Sequence, residues 1–520
     1  MGNYCNVKAI ALTDINNTSG CLNFIRLASD CGIKPIVGID FRNGNDSCFV
    51  GIAKNNEGYR ELNSYLSFYL HNKLPIPKSA PQLENSYVIY PFSSVSISLA
   101  ESLKENAFIG VAVHDIPKLR MSKLIRHQQK LVIQQTVTFR NKRDFNSHRL
   151  LRAIDNNTLL SKVNPNEQAN EKEIMLPLDE LVKAFEEFPL LIKNTERIVD
   201  NCSIHFDFSE NRKPQNQSVY SGSREEDIQL LKQLAENNLS YRYGSSINQT
   251  IRARVEKELD LIIKQDYVSY FLINWDIVSY AKKQGYFHVG RGSGANSIIA
   301  YILGITDVDP IELDLYFERF INLYRKNPPD FDVDFSWRDR QDVTRYIFER
   351  FDHVSLLGTY NCFQHKGTVR ELGKVFGLPK AEIDKLSSGN FLHNRLDDLA
   401  QLVLKYGDLI RGNPNHLGIH AGGIIISNDS MHNFSATHMP PKGFPTTQFD
   451  MVIAEDVGLY KFDILGQRGL AKIKEAVSIV KYNQPEKADF DIHDVKRFTT
   501  DKKVNDMVKN IPIPHATIPI

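Results

Sequence analysis

The chain begins with short apolar runs separated by polar turns. Val7–Leu12 suits a buried strand, Cys21–Ala28 has helical spacing, and Lys34–Ile39 is a second short apolar run. A strand, a helix and a strand in this order predict a βαβ unit of a parallel sheet. The pattern continues in three further runs: Tyr87–Tyr90, Ala107–Val113 and Leu131–Gln134.

Helical periodicity dominates the middle of the chain. Residues 144–154, 177–198 and 223–281 carry apolar side chains at helical spacing. Residues 201–222 are polar and include Pro214, which predicts an exposed connection and a domain boundary.

Glycines and extended patterns appear from Tyr286 onward. The cluster Gly290-Arg291-Gly292-Ser293-Gly294 precedes a helix-like run at Ala295–Leu303, and residues 363–412 are mostly helical. Strand-like patterns occur at three places: Asp330–Phe335, Gly422–Ile426 and Leu459–Ile464.

Composition narrows the class of protein. The 520 residues include 42% hydrophobic and 24% charged side chains, which is ordinary for a globular protein. No apolar run approaches the ~18 residues of a membrane span, and no secretory signal is visible. The six cysteines form no CxxC pair, so we expect a reducing cytoplasm rather than a disulfide scaffold. Lys and Arg total 63 against 62 Asp and Glu, which argues against blanket binding of nucleic acid but allows a locally basic groove.

The segment Pro329–Phe335 alternates with the period of a strand. Asp330, Asp332 and Asp334 are predicted to share one face, with the intervening Phe and Val side chains on the other. Three carboxylates on one face repel each other unless a cation or solvent screens them, and their oxygen atoms suit Mg²⁺. The alternative is an edge strand with a solvated acidic face.

Two other segments offer matching chemistry. In Gly458–Gly466, Lys461 and Asp463 share one strand face; the alternative to metal binding is an ion pair between them. The glycine cluster resembles a phosphate cradle at a helix N-terminus, although a tight turn would use the same residues. An acidic pair, a distant third carboxylate and an anion cradle are together what two-metal nucleotidyl transfer requires.

These residues resemble the bacterial DNA polymerase III alpha subunits, the C-family replicative polymerases. The resemblance covers nearly the whole chain and is most specific in residues 286–470. Its motifs follow one another in the family's order: Gly290–Ala295, Ala300–Asp307, Phe317–Phe320, Pro329–Phe335, His420–Gly423, Thr447–Asp450 and Lys461–Gly466.

The resemblance implies an α/β and α+β multidomain fold. A degenerate polymerase-and-histidinol-phosphatase (PHP) domain is expected before a polymerase-beta-like nucleotidyltransferase palm with an inserted helical thumb. The expected boundaries are 1–222 for the incomplete PHP-like domain with a helical extension, 223–285 for a helical connection, 286–361 and 418–470 for the palm, 362–417 for the thumb and 471–520 for the start of the fingers.

The resemblance also assigns roles by motif position. Asp330, Asp332 and Asp463 would be catalytic and bind two Mg²⁺ ions, supported by Asp334 and Lys461. The expected triphosphate-binding residues are Arg291, Gly292, Ser293, Arg319 and His420. A core histidine is the alternative for His420.

The basic start of the thumb is expected to contact DNA. Lys366 and Arg370 would bind the phosphate backbone without reading sequence, and the alternative is a solvated helix face.

The chain departs from the family at both ends. The family's His-x-His strand is not found before Ala9, and Ile15 stands where a His often follows Asp14. Asp14 and Asp40 alone could hold at most a weakly bound hydrated cation, so we expect a scaffold domain without a catalytic metal centre. That domain would expose a sheet edge. The similarity fades toward the C-terminus, which predicts a truncated, frameshifted or partial chain.

The leading hypothesis is a DNA-directed DNA polymerase that transfers nucleotides from dNTPs to a primer 3′-hydroxyl in cytoplasmic chromosome replication. Its expected partners are primer–template DNA and dNTPs, with no membrane. The family's binding regions for the sliding clamp and other replisome subunits are expected to be missing here. One alternative is an inactive truncated remnant that retains DNA or partner binding only. Another is a PHP-type phosphoesterase or 3′-5′ exonuclease.

Overall fold

A computed structural model describes residues 7–317, 328–389, 391, 396–487 and 500–510. The chain divides into two compact units, each assembled from separated segments. The first unit contains residues 1–212, 355–420 and 429–458, and the second contains residues 213–354, 421–428 and 459–520. The first boundary falls inside the polar connection predicted at residues 201–222.

The strands of the described residues are given in chain order. They are β1 Ala9–Ile15, β2 Lys34–Asn43, β3 Asp46–Ala53, β4 Ser86–Pro91, β5 Ala107–Val111, β6 Leu131–Ile133, β7 His288–Arg291, β8 Asp332–Ser336, β9 Val354–Cys362, β10 Pro414–Ile426, β11 Thr437–His438, β12 Thr446–Thr447 and β13 Phe462–Gln467.

The α-helices follow the same numbering. They are α1 Cys21–Asp30, α2 Asn56–Asn72, α3 Ile97–Ser102, α4 Ile116–Met121, α5 Lys142–Asp155, α6 Leu178–Ala184, α7 Pro189–Asn201, α8 Arg224–Tyr243, α9 Gln249–Lys264, α10 Val268–Lys283, α11 Ile298–Leu303, α12 Arg340–Arg350, α13 His365–Phe376, α14 Lys380–Ser388, α15 Asp398–Ile410, α16 Met451–Asp456, α17 Arg468–Asn483 and α18 Lys502–Asn510.

The first unit contains a six-stranded sheet in the order β1-β2-β3-β4-β5-β6. β1 and β2 are parallel and joined through α1, which confirms the predicted βαβ unit. The strand β3 was not predicted. It forms an antiparallel hairpin with β2 across Gly44, whose φ of 59° is the left-handed conformation that such a turn requires.

The strands β2 to β5 are largely buried on both faces, which explains their nearly continuous apolar sequences. Val37 and Phe41 of β2 pack in one core with Leu62 of α2. Ile36, one residue earlier, packs in a separate core with Ile198 of α7. The two cores lie on opposite sides because neighbouring residues of a strand point to opposite faces.

A helical cluster forms a further core of the first unit. Leu372 of α13, Leu386 of α14 and Val403 of α15 pack together with Leu150 and Ala153 of α5. The predicted helical character of residues 363–412 is therefore confirmed. The packing adds α5, which lies more than two hundred residues earlier in the chain and was expected to extend the N-terminal domain.

The second unit places strands in the order β10-β13-β8-β7, with the last residues of β10 contributing. β13 and β8 are parallel, whereas β7 is antiparallel to β8 and β10 is antiparallel to β13. α10 covers one face with Tyr270 and Phe271. Their rings contact Phe331, which lies just before β8, at centroid distances of 5.6 and 5.1 Å.

One predicted helix boundary is wrong. The helix expected from Ala295 begins at Ile298, after a 3₁₀ turn over Ser293–Asn296. Ser297 is the N-cap, and its hydroxyl accepts hydrogen bonds from the backbone N–H groups of Ile299 and Ala300. A serine cap at this position stops the helix from extending back into the glycine cluster.

Candidate metal and nucleotide site

Three carboxylates of the second unit converge at the junction of β8 and β13. Asp463 of β13 is paired in register with Asp332 of β8, and Asp330 lies two residues before Asp332. One carboxylate oxygen from each of the three side chains lies within 4.8 Å of the other two. The three residues to which the family resemblance assigns metal binding therefore lie together, with Asp332 and Asp463 on paired strands and Asp330 just before β8.

The opposite face of each strand is buried. Phe331, Val333 and Phe335 are at most 1% exposed, as are Phe462 and Ile464. The predicted alternation is therefore confirmed for both segments. Because the apolar side chains fix both strands in the core, the carboxylates of the other face are held on rigid elements.

The three carboxylates place like charges close together. Burial raises the pKa of Asp332, and the charges of Asp330 and Asp463 raise it further, against the opposing effect of Arg291 and Lys461. A divalent cation would relieve this repulsion. The all-oxygen donor set matches the preference of Mg²⁺, so these residues fit a bound metal ion.

Lys461 provides one counter-ion for this cluster. Its ammonium donates to Asp463, and it lies 3.4 Å from Asp330. Burial alone would lower the pKa of Lys461, but the hydrogen bond and charge of Asp463, with the charge of Asp330, raise it overall. The ion pair considered as the alternative to metal binding is present, and the same lysine also reaches a second carboxylate of the cluster.

Arg291 provides the second counter-ion from β7, directly opposite Asp332 in the antiparallel pair. Its Nη1 donates to Asp332, while its Nε donates to Asp334 at 2.9 Å. The hydrogen bond to Asp334 is the largest cause of the raised pKa of Arg291. Asp334 is therefore an ion-pair partner of Arg291 and is not part of the converging group of three.

The glycine cluster lies against the backbone of Asp330. The N–H of Gly294 donates to the Asp330 carbonyl at 2.9 Å, and the Asp330 N–H donates to the Ser293 hydroxyl at 2.9 Å. Gly292 has φ of 88°, and a Cβ there would lie 2.5 Å from the Asp330 carbonyl oxygen. Glycine is required because the two backbone segments approach this closely.

Gly292 and Ser293 were expected at the N-terminus of an α-helix, but the helix begins only at Ile298. The N-terminus of α11 is instead occupied by the buried carboxylate of Glu258 on α9. Its Oε2 accepts from the Ser297 hydroxyl at 2.8 Å and from the Ile298 N–H at 2.9 Å. Any anion binding by the glycine cluster must therefore use its own backbone and side chains rather than the dipole of α11.

Sequence reasoning missed Glu258. Its other oxygen accepts from Arg254 at 2.5 Å, yet burial raises its pKa to about 7. A signal was available, because Ile251, Val255, Glu258 and Ile262 are the buried positions of α9. A carboxylate within an apolar helical stripe indicates a buried acceptor that needs a polar partner.

Arg340 was also missed. Its Nε donates to the Ile464 carbonyl at 2.7 Å and its Nη2 donates to the Ala421 carbonyl at 2.6 Å. Burial lowers the pKa of this guanidinium. Arg340 thereby fastens the start of α12 to β13 and to the last part of β10, next to the carboxylate strands.

The remaining predicted site residues lie elsewhere or outside the described chain. Lys366 and Arg370 are exposed and one turn apart on α13 of the first unit. His420 lies on β10, at the last residue that belongs to the first unit. Arg319 lies outside the described residues.

The carboxylates of the N-terminal sheet do not share a face. Asp14 is paired in register with Ile39, and Asp40 with Ile15, so their side chains point to opposite sides of the sheet. Asp40 accepts from the Nε of Arg42 at 2.8 Å. Burial raises the pKa of both carboxyl groups. Asp14 and Asp40 therefore do not converge on one site, and the expectation of a scaffold domain without a catalytic metal centre stays a prediction.

Comparisons with known proteins identify two domain types in the chain. Residues 229–466 match the model of the bacterial DNA polymerase III alpha NTPase domain. Residues 4–108 match the PHP domain model. A PHP domain is therefore followed by a polymerase III alpha NTPase domain. Separately, the described part of the chain contains no helix that is long and apolar enough to cross a membrane.

Individual relatives give the same answer. The error-prone DNA polymerase of Symbiobacterium thermophilum is 30% identical over 91% of the chain and 49% of the relative. The DNA polymerase III alpha subunits of Halalkalibacterium halodurans and Treponema pallidum are 28% and 27% identical, over 91% and 94% of the chain and 46% and 47% of the relatives. The chain belongs to the family of DNA polymerase III alpha subunits and error-prone DNA polymerases. It spans about half the length of these relatives.

Proposed function

We propose that this chain carries the nucleotidyl-transfer centre of a template-directed DNA polymerase. The observation that supports this most strongly is the convergence of Asp330, Asp332 and Asp463 on neighbouring parallel strands. In this proposal β7, β8, β13 and the end of β10 are part of a polymerase-beta-like palm, and α13–α15 form a helical thumb. The N-terminal domain acts as a degenerate PHP scaffold.

The three carboxylates would hold two Mg²⁺ ions. Bound there, the ions would activate the primer 3′-hydroxyl and neutralise the leaving pyrophosphate. Asp330 and Asp332 approach the site from one strand segment and Asp463 from the next strand. Their fixed backbones keep the oxygen atoms positioned, so little reorganisation is needed when the reacting groups bind.

The cationic side chains would bind the triphosphate of the incoming dNTP. Lys461 and Arg291 already lie beside the carboxylates. Gly292 would let the backbone approach the triphosphate closely, and the Ser293 hydroxyl would donate a hydrogen bond to it. Arg319 and His420 are proposed for the same role from the family resemblance alone.

Lys366 and Arg370 would contact the DNA backbone. Both are exposed on the same face of α13, one turn apart, where their charges are available to phosphate groups. Because such contacts read charge and not sequence, they fit a polymerase that copies any template. A chain with these roles would work in the cytoplasm on primer–template DNA.

Primer extension tests the proposal. The full chain is supplied with primer–template DNA, dNTPs and Mg²⁺, and DNA affinity is measured separately by fluorescence anisotropy. We expect extension by the wild-type chain and none above background for Asp332→Asn or Asp463→Asn. The control is Asp260→Asn, which removes one exposed carboxylate on α9 and should leave extension unchanged.

The two measurements separate the alternatives. DNA binding without extension by the wild-type chain would favour a binding-only protein. Extension that survives Asp332→Asn would refute the assigned carboxylates. A phosphoesterase is less well supported, because Asp14 and Asp40 lie on opposite faces of their sheet.

A further inference from the structure

Arg291 lies between the metal-site carboxylate Asp332 and the more buried Asp334. Asp332 and Asp334 are on the same face of β8, and Arg291 is opposite Asp332 on β7. Its guanidinium donates to both: Nη1 to Asp332, and Nε and Nη2 to Asp334 at 2.9 and 3.4 Å. The Arg291 guanidinium thus binds one carboxylate that the metal site uses, Asp332, and one that it does not use, Asp334.

The two carboxylates differ in exposure and in surroundings. The Asp334 side chain is 9% exposed, and the hydrogen bonds described for it all come from Arg291. The Asp332 side chain is 15% exposed and has Asp330 and Asp463 beside it. Asp334 therefore provides a fixed anchor for the guanidinium, whereas the contact with Asp332 is the part that a bound cation must replace.

We propose that Arg291 couples metal binding to triphosphate binding, with Asp334 as its positioning residue. Without a divalent cation, Arg291 neutralises Asp332. When a cation binds Asp332, the Nη1 donor is released while Nε stays on Asp334, so the guanidinium faces the site ready for an anion. This proposal rests on the proposed metal and nucleotide site and adds the order in which its charges are exchanged.

The coupling has a consequence that differs from that of an ordinary phosphate-binding arginine. Arg291 competes with the first cation when no nucleotide is present, and it attracts the triphosphate once the cation is bound. Removing it should therefore strengthen binding of the metal alone and weaken binding of the nucleotide. By linkage, the factor by which Mn²⁺ improves nucleotide affinity must equal the factor by which nucleotide improves Mn²⁺ affinity.

The first experiment measures Mn²⁺ binding to the full chain by isothermal titration calorimetry without nucleotide. We expect Arg291→Ala to tighten Mn²⁺ binding about fivefold over wild type, a change within the usual range of such couplings. The matched control is Arg345→Ala, which removes one exposed arginine of α12 that pairs with Asp342. It should change Mn²⁺ affinity by less than twofold, since only long-range charge is altered.

The second experiment measures binding of a non-hydrolysable dNTP at saturating Mn²⁺. We expect Arg291→Ala and Asp334→Asn each to weaken it, and the double variant to be no weaker than Arg291→Ala alone. That non-additivity is required if Asp334 acts through Arg291. If Asp334 had only a structural role, Asp334→Asn would lower the melting temperature. Its effect on nucleotide affinity would then add to the effect of Arg291→Ala.

The outcomes distinguish failure of the coupling through Arg291 from failure of the proposed metal and nucleotide site. If wild type binds Mn²⁺ and Arg291→Ala binds it equally or more weakly, the coupling is overturned but the metal site stays in place. Additive losses in the double variant overturn the positioning role of Asp334. Absence of Mn²⁺ binding by the wild-type chain overturns the coupling together with the proposed site.

Discussion

Two pairs of aspartates in this chain occupy comparable places in their sheets but are arranged differently. Asp14 and Asp40 belong to neighbouring parallel strands of the first unit, and Asp332 and Asp463 belong to neighbouring parallel strands of the second. In the second unit the two carboxylates are directly in register. In the first unit they are offset by one position and point to opposite faces. A one-residue difference in register therefore separates a potential metal site from two independent carboxylates.

The comparison also extends to the counter-ions. Asp40 has its own arginine, Arg42, two positions along the same strand. The carboxylates of the second unit share two cations: Arg291, which lies on β7, and Lys461, which is the residue before β13. Shared cations leave the cluster able to exchange them for metal ions, whereas Asp40 is already paired locally.

The largest expected effect concerns nucleotidyl transfer. Asp332→Asn or Asp463→Asn should reduce primer extension about 1,000-fold or more, because the site loses a ligand for the metal ions that would neutralise developing negative charge. Asp14→Asn and Asp40→Asn should change the rate less than about twofold. Rates of single-nucleotide incorporation by the four purified variants measure this difference.

A comparable loss from Asp14→Asn would break the comparison. It would mean that the N-terminal sheet contributes to the reaction despite the opposite orientation of its carboxylates. Circular dichroism spectra of all four variants serve as the control, because a variant that does not fold cannot report on chemistry.

Removing Glu258 should have the next largest effect, on stability. Glu258→Ala leaves Arg254 without its carboxylate and the N-terminus of α11 without its acceptor. Breaking a buried pair from one side costs about 3–5 kcal/mol in the free energy of unfolding. Urea denaturation of the variant and of Glu256→Ala, an exposed position on the same helix, measures the difference. A loss below 1 kcal/mol would contradict the assigned role.

Divalent cations should stabilise the wild-type chain. At a Mn²⁺ concentration one hundred times the dissociation constant, the free energy of unfolding should rise by about 2.7 kcal/mol. Asp332→Asn and Asp463→Asn should lose most of this gain, and Asp40→Asn should keep it. Melting temperatures recorded with Mn²⁺ and with EDTA provide the measurement. Equal gains in Asp332→Asn and wild type would place the stabilising ion elsewhere.

The last predicted effect is a dependence of stability on pH. The pKa of Glu258 is about 7 in the folded chain and 4.5 for an ordinary glutamate. Between these values the folded state binds more protons than the unfolded state, so this residue makes stability fall as pH rises from about 4.5 to 7. Above that window its contribution is constant.

Glu258→Gln provides the matched variant for this prediction, because it keeps an acceptor oxygen and removes the titration. As the pH rises from 4.5 to 7, the unfolding free energy of wild type should therefore fall relative to that of Glu258→Gln. A difference that is flat from pH 4.5 to 7 would show that the carboxyl group has an ordinary pKa.

Local pattern was enough to predict much of the secondary structure. The alternation around Asp332 and around Asp463 predicted two strands with one apolar and one polar face, because side-chain direction has a period of two residues. The βαβ unit over residues 9–43 followed from the order of apolar runs. The hairpin strand β3 and the late start of α11 were missed, because a turn at Gly44 and the cap at Ser297 decide them.

Family motifs named Asp330, Asp332 and Asp463 together, but no local pattern could place Asp463 beside Asp332. That contact depends on which strands pair and in which register, and the two residues are separated by more than a hundred positions in the chain. The same applies to Glu258, whose carboxylate reaches the N-terminus of α11 from a different helix. Arg291 reaches Asp334 only through the antiparallel pairing of β7 with β8.

The sequence by itself determined the order of elements, the polar and apolar faces of the strands and the family to which the chain belongs. These depend on residues close together in the chain, where backbone geometry sets which side chains share a face. Only the tertiary structure decided that Asp332 and Asp463 share a site while Asp14 and Asp40 do not. The physical reason is that strand register is set by packing across the whole sheet, and each one-residue shift turns a side chain to the other face.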